Sequence, residues 1–323
     1  MSRPFTFWSF PRQEEGPVST GKSFRVTLDH LLFAVMSLIW GVTWLATKLA
    51  LASVPPIFFG AARYLLVAAV LLVAVRGVLG VLTGPLAGRV ILSGVLVNVG
   101  TYALLYWGMQ FVASGVAGVV NMSMNPVFLF GFAILLGQER ASWRHLMALV
   151  LGIAGLVILF SGKASFTGSE IELWAAAAIV GASVSYSLGS VLSRPLLEKF
   201  TPFQLTAAQG VVAAIGMSIL SLALEPVSGA TFAAQMLPLP LAGLLFMVFF
   251  GTFIAYTIFL RLVREWGAPR AGLYSFVSPV VALILGAAVL GEPLTWREIT
   301  GAAIMLAAAA IAIARRPPDV PAA

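Results

Sequence analysis

The sequence predicts an all-α integral membrane protein with ten transmembrane helices arranged as two inverted five-helix repeats. Apolar residues make up 60% of the chain and charged residues only 10%, against about 25% charged residues in an ordinary soluble domain. Ten apolar blocks reach or approach the roughly 20 residues needed to cross the hydrocarbon of a bilayer. One pattern also occurs twice. Asn125-Pro126-Val127-Phe128 leads to Gly137-Gln138-Glu139 and Trp143-Arg144, and Ser278-Pro279-Val280-Val281 leads to Gly291-Glu292 and Trp296-Arg297, with proline, glutamate, tryptophan and arginine each repeated at an offset of 153 residues. Two copies of one unit in so apolar a chain predict two halves around a shared pathway.

The blocks fall at 31–51, 57–79, 88–110, 112–136, 144–161, 171–192, 203–224, 239–260, 270–290 and 297–314. Segments 1–28 and 317–323 read as cytoplasmic tails, 29–162 as the first repeat and 168–316 as the second. With the N-terminus inside, fifteen of the nineteen Lys and Arg residues fall on the internal side. Lys163 and Arg297 alone fall outside, and Lys48 and Arg63 lie within spans. Basic residues are retained on the cytoplasmic face, so this bias predicts ten crossings with both termini cytoplasmic. Five crossings per half make the second copy enter from the opposite side. A fainter trace agrees: Gly100-Thr101-Tyr102 in the third block resembles Gly251-Thr252-Phe253 in the eighth.

Composition also excludes functions. The net charge of +7 does not form one basic face, so nucleic acid is not expected as a partner. There is no cysteine, hence neither disulfide nor thiolate metal site. His30 and His145 lie near cytoplasmic helix ends and no acid pair occupies a span. No metal, cofactor or enzymatic chemistry is therefore expected. The aromatic Phe5, Phe7, Trp8 and Phe10 are broken by Pro11 and followed by charges, unlike a signal peptide. They read as a loose tail or as a segment on the membrane surface.

Polar side chains inside the blocks recur at helical spacing, and in a bilayer such residues face other helices or a cavity. The candidates are Trp40 and Trp44 in the first block, Asn98, Tyr102 and Tyr106 in the third, and Asn121 and Asn125 in the fourth. Tyr186 stands beside Ser183, Ser187 and Ser190 in the sixth, Tyr256 lies in the eighth, and Ser275 and Ser278 in the ninth. Each set reads either as interhelical glue or as solute-binding surface, and the phenols favour the second because a ring stacks while its hydroxyl hydrogen-bonds. Pro126 and Pro279 free the carbonyls of Met122 and Ser275 and read as hinges. Lys48 and Arg63 read as snorkelling to the external interface, or as attracting an anion at the external mouth. Glu139 and Glu292 read as caps and loop anchors near the following helix starts.

These residues resemble the drug/metabolite transporter superfamily, in particular members built from two EamA-type units. The resemblance rests on Trp40-Gly41 followed by Lys48, on Pro56 and Arg63, and on the Pro126–Glu139 and Pro279–Glu292 blocks. It implies a carrier of the bacterial inner membrane that exports amino acids or related metabolites, and the aromatic amino-acid exporter branch looks nearest. The small four-span relatives carry a glutamate in their first span; here Trp40, Trp44 and Lys48 stand there instead, which departs from obligatory proton antiport. The expectation is alternating access around a mostly uncharged central chamber, with facilitated diffusion as one mode. Efflux of drugs or other metabolites by proton antiport and a gated channel stay open as alternatives. The partners are a small-molecule solute and the lipid bilayer, with a homodimer left open.

Overall fold

The computed structural model describes residues 27–51, 53–111, 114–161, 169–290 and 295–313. Every regular element among them is a helix. The long ones are α1 (Leu28–Leu51), α2 (Pro56–Ala74), α3 (Ala87–Gly108), α4 (Ser114–Leu135), α5 (Trp143–Phe160), α6 (Glu170–Leu196), α7 (Pro202–Leu224), α8 (Pro238–Trp266), α9 (Tyr274–Leu290) and α10 (Trp296–Ile313). Short helices lie at Val78–Thr83, Gly229–Gln235 and Ala268–Ala271. Five helices, α2, α3, α6, α7 and α8, are long and apolar enough to cross a membrane. The second block ends at Ala74 rather than 79, because Gly77 turns left-handed (φ 81°) and starts a separate helix. The eighth runs on to Trp266, where Gly267 (φ 84°) stops it. The tails and the segments 162–168 and 291–294, with Lys163 and Glu292, lie outside the described residues, as do the side chains of Trp44 and Lys48.

Local chemistry sets the helix starts. Proline occupies the first turn of both α2 and α7, where its missing N–H costs nothing. Thr201 and Gln204 form a capping box for α7. On α2 the job falls to Glu225, whose carboxylate accepts from the backbone N–H groups of Ile57 (2.7 Å) and Phe58 (2.6 Å). At the start of α10, with Glu292 outside the described residues, a different acid is seen to act. Glu298 accepts from the Thr295 backbone (2.8 Å) and hydroxyl (2.9 Å) and caps the helix itself. Glu139 anchors the turn after α4 to α6 through Arg194 (3.5 Å). The repeated Trp143 and Trp296 are 72% and 70% exposed, as suits residues at a membrane–water boundary.

The packing repeats with the sequence. Gly60 meets Met217 and Gly210 meets Val67, so α2 and α7 run antiparallel. Gly155 faces Gly301 and Met305 while Gly301 faces Leu159, so α5 and α10 do the same. Asn121 with Ser183, and the Asn125 carbonyl with Ser187, lay α4 parallel to α6. Ser37 with Ser278, and Gly41 with Val281, lay α1 parallel to α9. The antiparallel pair α3–α6 is likewise matched by α1–α8. Exchanging α1–α5 for α6–α10 therefore maps each of these pairs onto another or onto itself.

The α5–α10 crossing depends on missing side chains. A Cβ on Gly301 would lie 2.6 Å from the Gly155 carbonyl oxygen and 2.6 Å from the Leu159 nitrogen. Backbone cannot yield as a flexible side chain does. Gly301→Leu is expected to cost about 3 kcal/mol or more and to lower the thermal midpoint of the purified protein by size-exclusion melting. Gly131→Ala, which enters open space, is the control.

Candidate functional site

The centre of the molecule is built on two wide helical turns. In α3 the stretch Val95–Gly100 is π-helical, and in α8 the stretch Met247–Tyr256 is. Such turns leave a carbonyl without its usual partner and recur at functional sites. The two threonines of the Gly-Thr pairs seen in the sequence satisfy them: Thr101 Oγ1 donates to Leu96 O (2.9 Å) and Thr252 Oγ1 to Met247 O (3.1 Å).

Thr252 thereby presents its remaining lone pairs to Arg63. Arg63 Nε (3.1 Å) and Nη2 (2.8 Å) both donate to Thr252 Oγ1. The guanidinium carbon stands 5.0 Å from the ring centre of Tyr64 and 5.2 Å from that of Tyr102. Arg63 is 3% exposed, which corrects the snorkelling reading: the side chain points into the protein and brings a full positive charge with it. Tyr64 donates to Asn98 Oδ1 (2.7 Å). The rings of Tyr102 and Tyr106 lie 5.3 Å apart, with Tyr102 half-buried and Tyr106 buried.

A second cluster joins this one through α8. Trp40 Nε1 donates to the Gly251 carbonyl (3.2 Å), one residue from Thr252. Its ring meets Tyr274 edge-on at 4.2 Å and Phe259 at 5.5 Å. Tyr274 donates to the Tyr186 hydroxyl (3.2 Å), and Tyr256 stacks on Phe259 at 6.1 Å. Tyr256 then donates to Gln209 Oε1 (2.6 Å), while Gln209 Nε2 donates to Ser93 (2.8 Å) and Ser193 (3.0 Å).

Trp40, Asn98, Tyr102, Tyr106, Tyr186 and Tyr256 are thus brought into these two linked clusters. Asn121 donates to Ser183 on α6 (3.2 Å) and Ser278 to the Ser37 carbonyl on α1 (3.1 Å), while Asn125 donates to Asn121 one turn away on the same helix (3.3 Å) and its carbonyl accepts from Ser187 (3.2 Å). Ser275 is wholly buried, and Pro126 and Pro279 lie inside unbroken helices. The sequence reading passed over Tyr64, Gln209 and Phe259 and, in its snorkelling form, turned Arg63 outward rather than into the protein. One signal was available: α2 and α7 both open on proline, and seven residues later stand Ala61-Ala62-Arg63 and Ala207-Ala208-Gln209.

The EamA-like transporter family profile matches residues 28–161 and again 173–314. The chain belongs to the EamA-like transporter family. It is a membrane transporter, and its family and relatives speak for transport rather than enzymatic chemistry. It is 26% identical to the uncharacterized transporter YoaV of Bacillus subtilis, over 84% of this chain and 91% of that protein. It is 25% identical to a probable amino-acid metabolite efflux pump of Salmonella typhimurium, over 86% and 92%. With the uncharacterized inner membrane transporter YedA of Escherichia coli K12 the identity is 29%, over 82% and 83%. A solved crystal structure shares the fold with a TM-score of 0.71 at 21% identity, covering 88% of this chain and 96% of that one.

Proposed function

We propose that this EamA transporter exports amino acids and related metabolites, aromatic and apolar ones included, across the bacterial inner membrane by alternating access. The chain crosses ten times with both termini in the cytoplasm, and the two inverted halves rock about the paired aromatic clusters. The observation that carries this reading is the joined set Arg63–Tyr102–Tyr106 and Trp40–Tyr274–Tyr186, buried where helices of both halves meet. Rings there match an apolar solute body, and hydroxyls and amides match its polar groups. The antiparallel packing of α2 on α7 and of α5 on α10 supports the inverted arrangement, because an axis in the membrane plane reverses equivalent helices. The name of the Salmonella relative supports amino-acid metabolites as cargo. Every acid among the described residues stands near a helix end or in a connection, which supports downhill efflux over proton antiport. The prolines Pro126 and Pro279 serve as the hinges of the rocking motion.

Counterflow in liposomes tests this reading. Protein-containing vesicles loaded with unlabelled phenylalanine, leucine or threonine should accumulate the labelled solute transiently, at least tenfold above empty vesicles. Flux without counterflow would mean a channel. No flux across a panel of amino acids, sugars and cationic drugs would remove the proposal.

A further inference from the structure

Arg63 and Gln209 occupy equivalent positions in α2 and α7, each seven residues after the opening proline. They solve burial differently. Both amide hydrogens and the carbonyl of Gln209 are engaged by Ser93, Ser193 and Tyr256, so the amide closes a saturated network. Arg63 is equally buried, yet its Nη1 has no acceptor in hydrogen-bonding geometry among the described residues. The phenol groups of Tyr102 and Tyr106 stand close by. Asn98, whose Oδ1 accepts from the Tyr64 hydroxyl, has an Nδ2 that is also without a partner. Two buried side chains that both contact Tyr64 thus each keep an N–H donor with no acceptor in hydrogen-bonding geometry, one of them charged.

No described carboxylate pairs with Arg63: its neighbours are the Thr252 hydroxyl, the phenol groups of Tyr102 and Tyr106, and aromatic faces. A guanidinium stays protonated at any physiological pH. A buried charge lacking an ion partner is costly, and cation–π contacts return only part of that cost. The fold does not require the charge, since the twin position uses a neutral amide. Intramembrane charges kept at such cost mark substrate or ion pathways.

Building on the exporter reading, we infer that Arg63, seconded by Asn98, is the site that takes the carboxylate of the transported solute. A carboxylate accepts hydrogen bonds only and pairs strongly with Arg. One guanidinium among neutral phenols and amides balances one negative charge. A dianionic phosphate would set two negative charges against one guanidinium, so the group bound there is a single carboxylate. The rings of Tyr64, Tyr102 and Tyr106 beside it receive an aromatic or apolar body. A cationic amine without an acid group finds like charge there and is disfavoured.

The test compares acids with their amides, which lack the carboxylate, on the purified full-length protein. Binding of phenylalanine and phenylalaninamide, and of 3-phenylpropanoate and 3-phenylpropanamide, is measured by calorimetry and by competition in counterflow. The wild type should prefer each acid over its amide at least tenfold. Arg63→Gln, which copies the twin helix, should reduce that ratio to within about twofold, with the loss falling on the acids. Asn98→Leu should weaken acid binding severalfold. Should Arg63→Gln fail to fold, Arg63→Lys decides: it keeps the charge as a point donor and should cut the acid preference severalfold. An acid-to-amide ratio unchanged by these variants, or a wild type that binds none of the acids, overturns the inference. Arg63-dependent acid binding without flux would sink the exporter reading and leave the anchor standing. Flux with a preference indifferent to Arg63 would do the reverse.

Discussion

Gln209→Leu is expected to destabilise the folded protein by about 3 kcal/mol, more than any single loss of a surface contact. Gln209 is wholly buried and joins three helices, since Ser93 lies on α3, Ser193 on α6 and Tyr256 on α8. Ser93 and Ser193 already donate to Val90 O (2.9 Å) and Gly189 O (2.8 Å), so both hydroxyls present lone pairs to the amide and the network has no slack. Leucine fills a similar volume but leaves the Tyr256 hydroxyl as a buried donor facing carbon. An orphaned polar group loses its whole desolvation cost, whereas removing both partners is far milder. Tyr256→Phe combined with Gln209→Leu should therefore cost clearly less than the two single changes added. Thermal unfolding of the four proteins in one detergent measures this. Strict additivity would show that the amide and the phenol do not support each other.

Much of the helix order was readable because two physical constraints act on every residue. Lipid demands long apolar blocks, and breakers such as Gly77 and Gly267 mark where they end. The Pro126 and Pro279 blocks were readable as a repeat because proline, glutamate, tryptophan and arginine recur in them at one spacing. The direction of Arg63 was not readable. Hydropathy places a charge along a helix, whereas its direction depends on what the neighbouring helix offers, here a threonine aimed by a π-helical turn. The Arg63–Gln209 equivalence escaped for another reason. The offset between halves is 146 residues at that pair, 151 at Thr101 and Thr252, and 153 at Pro126 and Pro279. Connections of unequal length hide the early part of the repeat from a search at one spacing. The serines and asparagines of α4, α6 and α9 were placed on the right faces, but a face alone does not say whether it meets a solute or another helix.

Trp40→Ala is expected to reduce counterflow at least tenfold. Trp40 stands where α1, α8 and α9 meet, with its N–H on the Gly251 carbonyl and its ring against Tyr274 and Phe259. The carbonyl it holds is one residue from Thr252, which holds Arg63. Removing the indole therefore opens a cavity, loosens the π-helical turn and releases the acceptor of the buried guanidinium together. Large-to-small changes of this kind cost about 3–5 kcal/mol in a packed core, so flux must be normalised to protein that elutes as a single folded species. Trp40→Phe separates the contributions. It keeps a ring against Tyr274 and Phe259 but gives up the donor to Gly251, and a roughly threefold loss of flux with little change in thermal midpoint is expected if the hydrogen bond tunes the turn. Wild-type counterflow in folded Trp40→Ala protein would mean that solute passes without using this cluster, and the aromatic centre would then be packing alone.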